Sequence, residues 1–162
     1  MNARAVLFTV SVLAASCGYR FVAPGGPLPQ GIRTVSAPVF DNRTAEPGAE
    51  TFFTQAFREQ LLKAGALGDE GADAEVRGAL LSVTGFPLMA SPGRLPSYRL
   101  TIVVDVQLRR AGKSVASVQV TGTEDYLSGA DLLLTEAQRQ TALRRAAEAL
   151  MKEAYERLAT GF

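Results

Sequence analysis

Apolar and polar residues alternate most cleanly between residues 98 and 108. Tyr98, Leu100, Ile102, Val104, Val106 and Leu108 fall on one side, and Arg99, Thr101, Asp105 and Gln107 on the other. A period of two sustained this long predicts a strand with one buried and one wet face. The run "RRAGKS" at 109–114 carries a glycine and predicts a hairpin turn, after which Ala116, Val118 and Val120 alternate with Ser117, Gln119 and Thr121 in a second strand. Upstream, "AEVRGALLSVTGF" at 74–86 places Val76, Gly78 and Leu80 on one face and Leu81 and Val83 on the other. That change of phase near residue 80 predicts a strand with a bulge. The segment "IRTVSAPVF" at 32–40 sets Val35, Ala37 and Val39 against Thr34, Ser36 and Pro38 and predicts a further strand. Pro38 cannot donate to a ladder, so its nitrogen faces away from the neighbour or the strand ends near it.

Two stretches have helical spacing instead. In "ETFFTQAFREQLLKAG", residues Phe53, Phe57, Leu61 and Ala64 form a stripe, with Thr51, Gln55, Arg58 and Leu62 turned away and Gly65 as the stop. Phe52, Phe53 and Phe57 read as core filling. The last segment, beginning at Ser128 and stopping at Gly161, carries Leu143, Ala147, Leu150, Ala154 and Leu158 as its stripe. Glu148 with Lys152 and Glu153 with Arg157 add favourable pairs four residues apart. Its run "RQTALRR" reads as a solvated face. The order β-α-β-β-β-α predicts a two-layer α/β sandwich, a four-stranded sheet covered on one side by two helices. The other sheet face then carries Thr101, Asp105, Gln107, Gln119 and Thr121 together with Val103 and Val115, and is open to a partner.

The N-terminus differs from the rest. Arg4 is the one charge before the uncharged run "AVLFTVSVLAAS" at 5–16, which is shorter than the roughly 20 residues of a membrane-spanning helix. A positive start, a short apolar run and small residues before a cleavage point describe a secretory signal. Those small residues directly precede Cys17, so the segment resembles a bacterial lipoprotein signal, in which the cysteine is acylated and becomes the new N-terminus. Ala14 stands three residues before the cysteine, where leucine is usual, and Leu13 lies one residue further out. The competing reading makes residues 5–16 a buried element and Cys17 a core thiol. An apolar core segment so close to Met1, behind a single arginine, is the less economical of the two. Residues 22–31 hold three prolines and three glycines and read as a tether. The organisation expected is a signal at 1–16, a lipidated Cys17 and tether at 17–31, and one domain at 32–162. Gly18 follows the cysteine in place of the aspartate that retains many lipoproteins at the inner membrane of enteric bacteria, so the expected destination is the outer membrane.

Composition narrows the chemistry. The chain of 162 residues is 47% hydrophobic and 20% charged, with no histidine and one cysteine. An internal disulfide is impossible, and the commonest general base and metal ligand is missing. Seventeen basic against sixteen acidic side chains give no excess of the kind that marks a nucleic-acid binder. Loss of residues 1–16 removes only Arg4, which balances the charges at 16 each. The pairs Asp69/Glu70 and Glu124/Asp125 are sequence neighbours, which a strand throws to opposite faces, so neither makes an acid–base dyad. No phosphate loop, no Cys-x-x-Cys and no dinucleotide fingerprint is present. The expectation is a protein that is not an enzyme and holds no cofactor or metal.

Taken together, "CGYRF" at 17–21, "LPQGIRTVSAPVFDNRT" into the first strand, the first helix, and "EDYLSGADLLLTEAQRQTALRRAAEALMKEAYERL" near the end resemble LptE, the lipopolysaccharide-assembly lipoprotein family of the bacterial outer membrane. The resemblance runs in order along nearly the whole chain, and the family fold it implies is the same strand, helix, three strands, helix. It implies a plug and partner for the β-barrel LptD, assisting lipopolysaccharide to the outer leaflet, with membrane attachment through N-terminal acyl chains. It also implies basic contacts to the anionic lipid. One family position lies in the loop between the second and third strands, where this chain has Arg94, with Arg99 at the start of the next strand. A second, near the start of the last helix, finds no lysine or arginine in "SGADLLLTEAQ". The alternative is a lipid-anchored periplasmic adaptor or chaperone of another envelope complex with a similar fold.

Overall fold

The computed structural model describes residues 28–88, 93 and 95–160. The signal segment, Cys17, Arg94 and the helix stop at Gly161 lie outside the described residues. The Pro/Gly-rich segment ends in a single 3-10 turn, Pro29–Gly31, whose neighbours Leu28 and Ile32 are buried. Then come β1 (Val35–Ser36), β2 (Asp41–Asn42), α1 (Ala49–Lys63), β3 (Ala74–Pro87), β4 (Ser97–Arg110), β5 (Lys113–Leu127) and α2 (Leu132–Thr160). The three long strands form an antiparallel meander with β4 in the centre, and the short β1 and β2 both lie parallel to the outer side of β3. Both helices cover one face, so the α/β sandwich expected from the pattern is the fold, with the sheet extended to five strands by a break in the first.

That break corrects the reading of residues 32–40 as one strand. Val35 and Ala37 point inward as expected, but pairing stops before Pro38, which has no N–H to give. Val39 is 64% exposed, and Phe40, at 3%, takes the core position instead. The Phe40 N–H donates to the Thr54 hydroxyl at 3.0 Å, and that buried hydroxyl donates in turn to the Glu50 carbonyl at 2.7 Å. Gly78 of β3 makes room for the ring: a Cβ on it would stand 2.2 Å from Phe40 Cδ2.

α1 buries Phe53, Phe57 and Leu61 as its spacing predicts, with Thr51, Gln55, Arg58 and Leu62 outside. It ends at Gly65, whose φ of +66° suits a residue without a side chain. The Gly65 N–H returns to Leu62 O and the Ala66 N–H to Leu61 O, which closes the last carbonyls.

In β3 the register shifts between Leu80 and Ser82, so Leu81 is the extra residue of the expected bulge. Its effect corrects the placement of Val83. After the bulge Val83 stands opposite Ile102 and packs on the core side, not on the far side with Leu81. β4 alternates without a fault, with Leu100, Ile102, Val104, Val106 and Leu108 all fully buried. Ala111 and Gly112, both at positive φ, make the two-residue turn into β5, the turn form whose twist matches the strands. A second irregularity follows at once, because Leu108 pairs with Ala116 but Arg109 with Ser114. Val115 sits in that shift and is half-buried against the core, which corrects its placement on the open face.

α2 begins at Leu132, four residues after Ser128, because Asp131 is the residue that caps it: its Oδ1 accepts the Leu134 N–H at 2.8 Å. Leu143, Ala147, Leu150, Ala154 and Leu158 are buried as predicted, and Glu153 pairs with Arg157 at 3.3 Å. Phe57 bridges the layers, with its ring centroid 6.0 Å from Phe40 and 6.3 Å from Tyr155 of α2.

Candidate functional site

Arg99 stands near the start of β4 on the open sheet face, directly opposite Asp125 of β5. Its Nε and Nη2 donate to the two carboxylate oxygens at 2.7 and 2.8 Å. That bidentate contact holds the Asp125 carboxyl below its usual range and raises the arginine. Both side chains are 48% exposed, so the pair contributes little to stability and stays accessible. Glu124, one residue away, turns to the helix side and accepts from Arg145 Nε at 2.7 Å. The two neighbouring carboxylates thus diverge, as strand geometry requires. Asp105, further along the open face, accepts from Gln107 Nε2 at 3.0 Å and lies within 3.5 Å of the Ser117 hydroxyl. Among the described residues no three His, Cys, Asp or Glu side chains gather as a metal site.

Beneath Arg99, on the core side, the Tyr98 and Tyr126 rings stack with centroids 5.4 Å apart. Burial pushes the Tyr126 hydroxyl up, against the pull of the nearby Arg139. Beyond this stack the end of the molecule turns apolar. Phe86, Leu95, Leu127, Leu132, Leu133 and Leu134 are all exposed here, Leu132 and Leu133 by more than four-fifths. A groove of about 700 Å³ runs between Leu88, Leu95, Leu127 and Leu134, with Asp125 and Arg145 at its rim. None of the first ten residues of α2 is buried, so this part of the helix projects past the core. Exposed apolar surface of this size, gathered at one end, is the mark of an interaction site.

The run "RQTALRR", read as a solvated face, corrects to a set of ties. Arg139 forms a two-pronged ion pair with Glu46, whose backbone carbonyl accepts from Asn42 Nδ2 at 2.7 Å. Arg144 lies over the Phe52 ring, 5.1 Å from its centroid. Arg145 adds a contact to the Asp125 carbonyl at 3.3 Å. Glu46 and Arg139 are 93 positions apart, and no local pattern connects them. At the opposite end of the sheet Arg110 donates to the Gln30 carbonyl at 3.1 Å, pinning the last turn of the Pro/Gly-rich segment to the β4–β5 hairpin.

The model of the lipopolysaccharide-assembly family LptE matches residues 32–158, which takes in every strand and nearly all of α2. The chain belongs to the LptE family. Lipopolysaccharide assembly is accordingly its function, and the family is a non-enzymatic one of envelope lipoproteins. Three solved structures share the fold. A lipoprotein of Caulobacter crescentus CB15 superposes with a TM-score of 0.56 at 19% identity, over 76% of this chain and 89% of that one. The rare lipoprotein B of Shewanella oneidensis gives 0.52 at 16%, over 75% and 94%. PelC of Paraburkholderia phytofirmans, solved as a dodecamer, gives 0.52 at 18%, over 83% and 92%. Among curated protein sequences none matches this LptE-family chain.

Proposed function

We propose that this LptE-family protein is an outer-membrane lipoprotein, anchored through acylated Cys17, that fills and supports a β-barrel of the LptD type and helps lipopolysaccharide reach the outer leaflet. The observation that carries the proposal is the family match over residues 32–158. The surface supports it. A barrel lumen is lined by polar residues, and the open sheet face offers Thr101, Asp105, Gln107, Gln119 and Thr121, whose polar groups suit such a wall. The chain from Cys17 to Pro27 acts as the tether and the domain from the buried Leu28 onward as the plug.

Arg94 and Arg99 are the proposed contacts to the lipid's anionic groups. Asp125 occupies two of the five N–H donors of Arg99, which leaves three on a side chain that is 48% exposed. The apolar groove beside Asp125 suits the other half of an amphiphile.

Affinity purification of the C-terminally tagged chain from mild-detergent extracts of outer membranes tests the partner. The expected result is a stoichiometric barrel whose gel mobility changes on boiling. A lipoprotein recovered repeatedly without a barrel overturns it and favours an adaptor of another envelope complex.

A further inference from the structure

β5 is the last strand of the sheet, and among the described residues nothing pairs with its outer side. Its odd-numbered residues turn their backbone groups outward, as two contacts from α2 demonstrate. Arg157 Nη1 donates to the Gln119 carbonyl at 3.2 Å, and Arg145 Nη2 to the Asp125 carbonyl at 3.3 Å. The helix reaches the strand because Gly122 lies between these two points and carries no side chain. A Cβ there would stand 2.8 Å from Leu150 Cδ2.

The two capped carbonyls are placed symmetrically about Gly122, three residues to either side. In an antiparallel pairing of β5 with a second β5, centred on Gly122, Gln119 would face Asp125 of the other copy, and Thr121 would face Thr123. Both members of each of these pairs have outward backbone groups, so the odd-numbered pairs exchange N–H···O=C bonds, as alternate pairs of an antiparallel ladder do. Threonines opposite each other are also a favourable cross-strand pair. The edge is therefore self-complementary, and in this register the two arginine-capped residues, Gln119 and Asp125, face each other across the pair.

We infer that the free edge of β5 is a pairing surface for a second copy of this chain, and that Arg145 and Arg157 keep it closed. Unguarded edges of this length are templates for association, and long cations laid across them are a known form of protection.

The test is sedimentation of the full chain in a mild non-ionic detergent. The wild type is expected to run as a monomer. Arg145→Met with Arg157→Met keeps the aliphatic stems but removes the donors, and is expected to double the protein mass at the same concentration with unchanged circular dichroism. Adding Thr123→Pro is expected to restore the monomer, because that N–H points outward and proline is tolerated at such edge positions. If the methionine pair does not fold, Arg145→Gln with Arg157→Gln is read in the same way. A folded double variant that stays monomeric overturns the inference. So does a dimer that survives Thr123→Pro, or a wild type already dimeric through this edge.

Discussion

Gly78 has Phe40 pressed against it where any side chain would have to go. Gly78→Ala therefore overpacks a buried contact, and such changes typically cost about 1–3 kcal/mol. Denaturant titration is expected to report a loss of that size, and Phe40→Leu in the same chain is expected to return part of it, because the two sites share one space. Strictly additive losses would show that the ring is not what the methyl group meets. Asp73 makes a different kind of contact, between the loop before β3 and the segment before β1. Its carboxylate accepts the N–H groups of Arg33 and Thr34 at 3.0 and 3.3 Å, and these hold its pKa below the ordinary 3.8. A carboxyl depressed on folding stabilises the protein above its unfolded pKa, and that contribution disappears as pH falls through the folded value. Asp73→Asn should thus lower the urea midpoint at neutral pH, and the gap from wild type should close well below pH 3.8. A gap that persists in acid would assign the effect to the amide itself rather than to the charge.

Among the elements, α2 is two things joined end to end. From Ala142 onward its stripe is in the core, whereas the ten residues before it are held by the Arg139–Glu46 pair and by the cap at Asp131. Arg139→Ala leaves a mostly covered Glu46 without its partner, at a cost of about 1–3 kcal/mol. Hydrogen exchange should quicken for the amides of residues 136–141 and hold steady for 146–158. Uniform acceleration along the helix would mean that the pair stabilises the whole fold and not its projecting arm. This division was not legible in the sequence, because the apolar stripe at Leu143 and Leu150 says where a helix is buried but not where burial begins. β4 was legible residue by residue, since its central place forces one rule of alternation on every position. Val39 misled because Pro38 ended the pairing and turned the chain, and Val115 because a shift in register moved one residue across the sheet. Both errors lie at irregularities, where the period of two is interrupted and the pattern loses its phase. The arginine ties of α2 were hidden for another reason: their partners are distant in sequence and adjacent only in the fold.

The whole molecule has two unlike ends, separated by the length of the strands. Fourteen residues of β4 at about 3.3 Å each place the apolar end roughly 46 Å from the hairpin. The Pro/Gly-rich segment enters at the hairpin end, where Arg110 holds Gln30. The apolar end was not legible as a site, because Phe86, Leu95, Leu127 and the leucines of early α2 converge only when three separate connections meet. The proposed anchor is the reverse case: its signal is entirely local, an apolar run, small residues and a cysteine, and it needs no fold to be read. The eleven residues from Cys17 to Pro27 span at most about 40 Å when extended. An acylated Cys17 would therefore keep the hairpin end within that reach of the membrane surface, and the apolar end would be free to project away from it. Cys17→Ser removes the thioether that this arrangement requires. Labelling by a fatty-acid analogue should fall to background in the variant, and the protein should appear soluble or with its signal uncleaved. The folded domain begins at Leu28, which is buried in the core and lies beyond the proposed anchor, so its thermal melt should be unchanged. Continued labelling would place the lipid elsewhere and remove Cys17 as the point of attachment, while lost labelling with an intact melt would make Cys17 the attachment point of a domain that folds without its anchor.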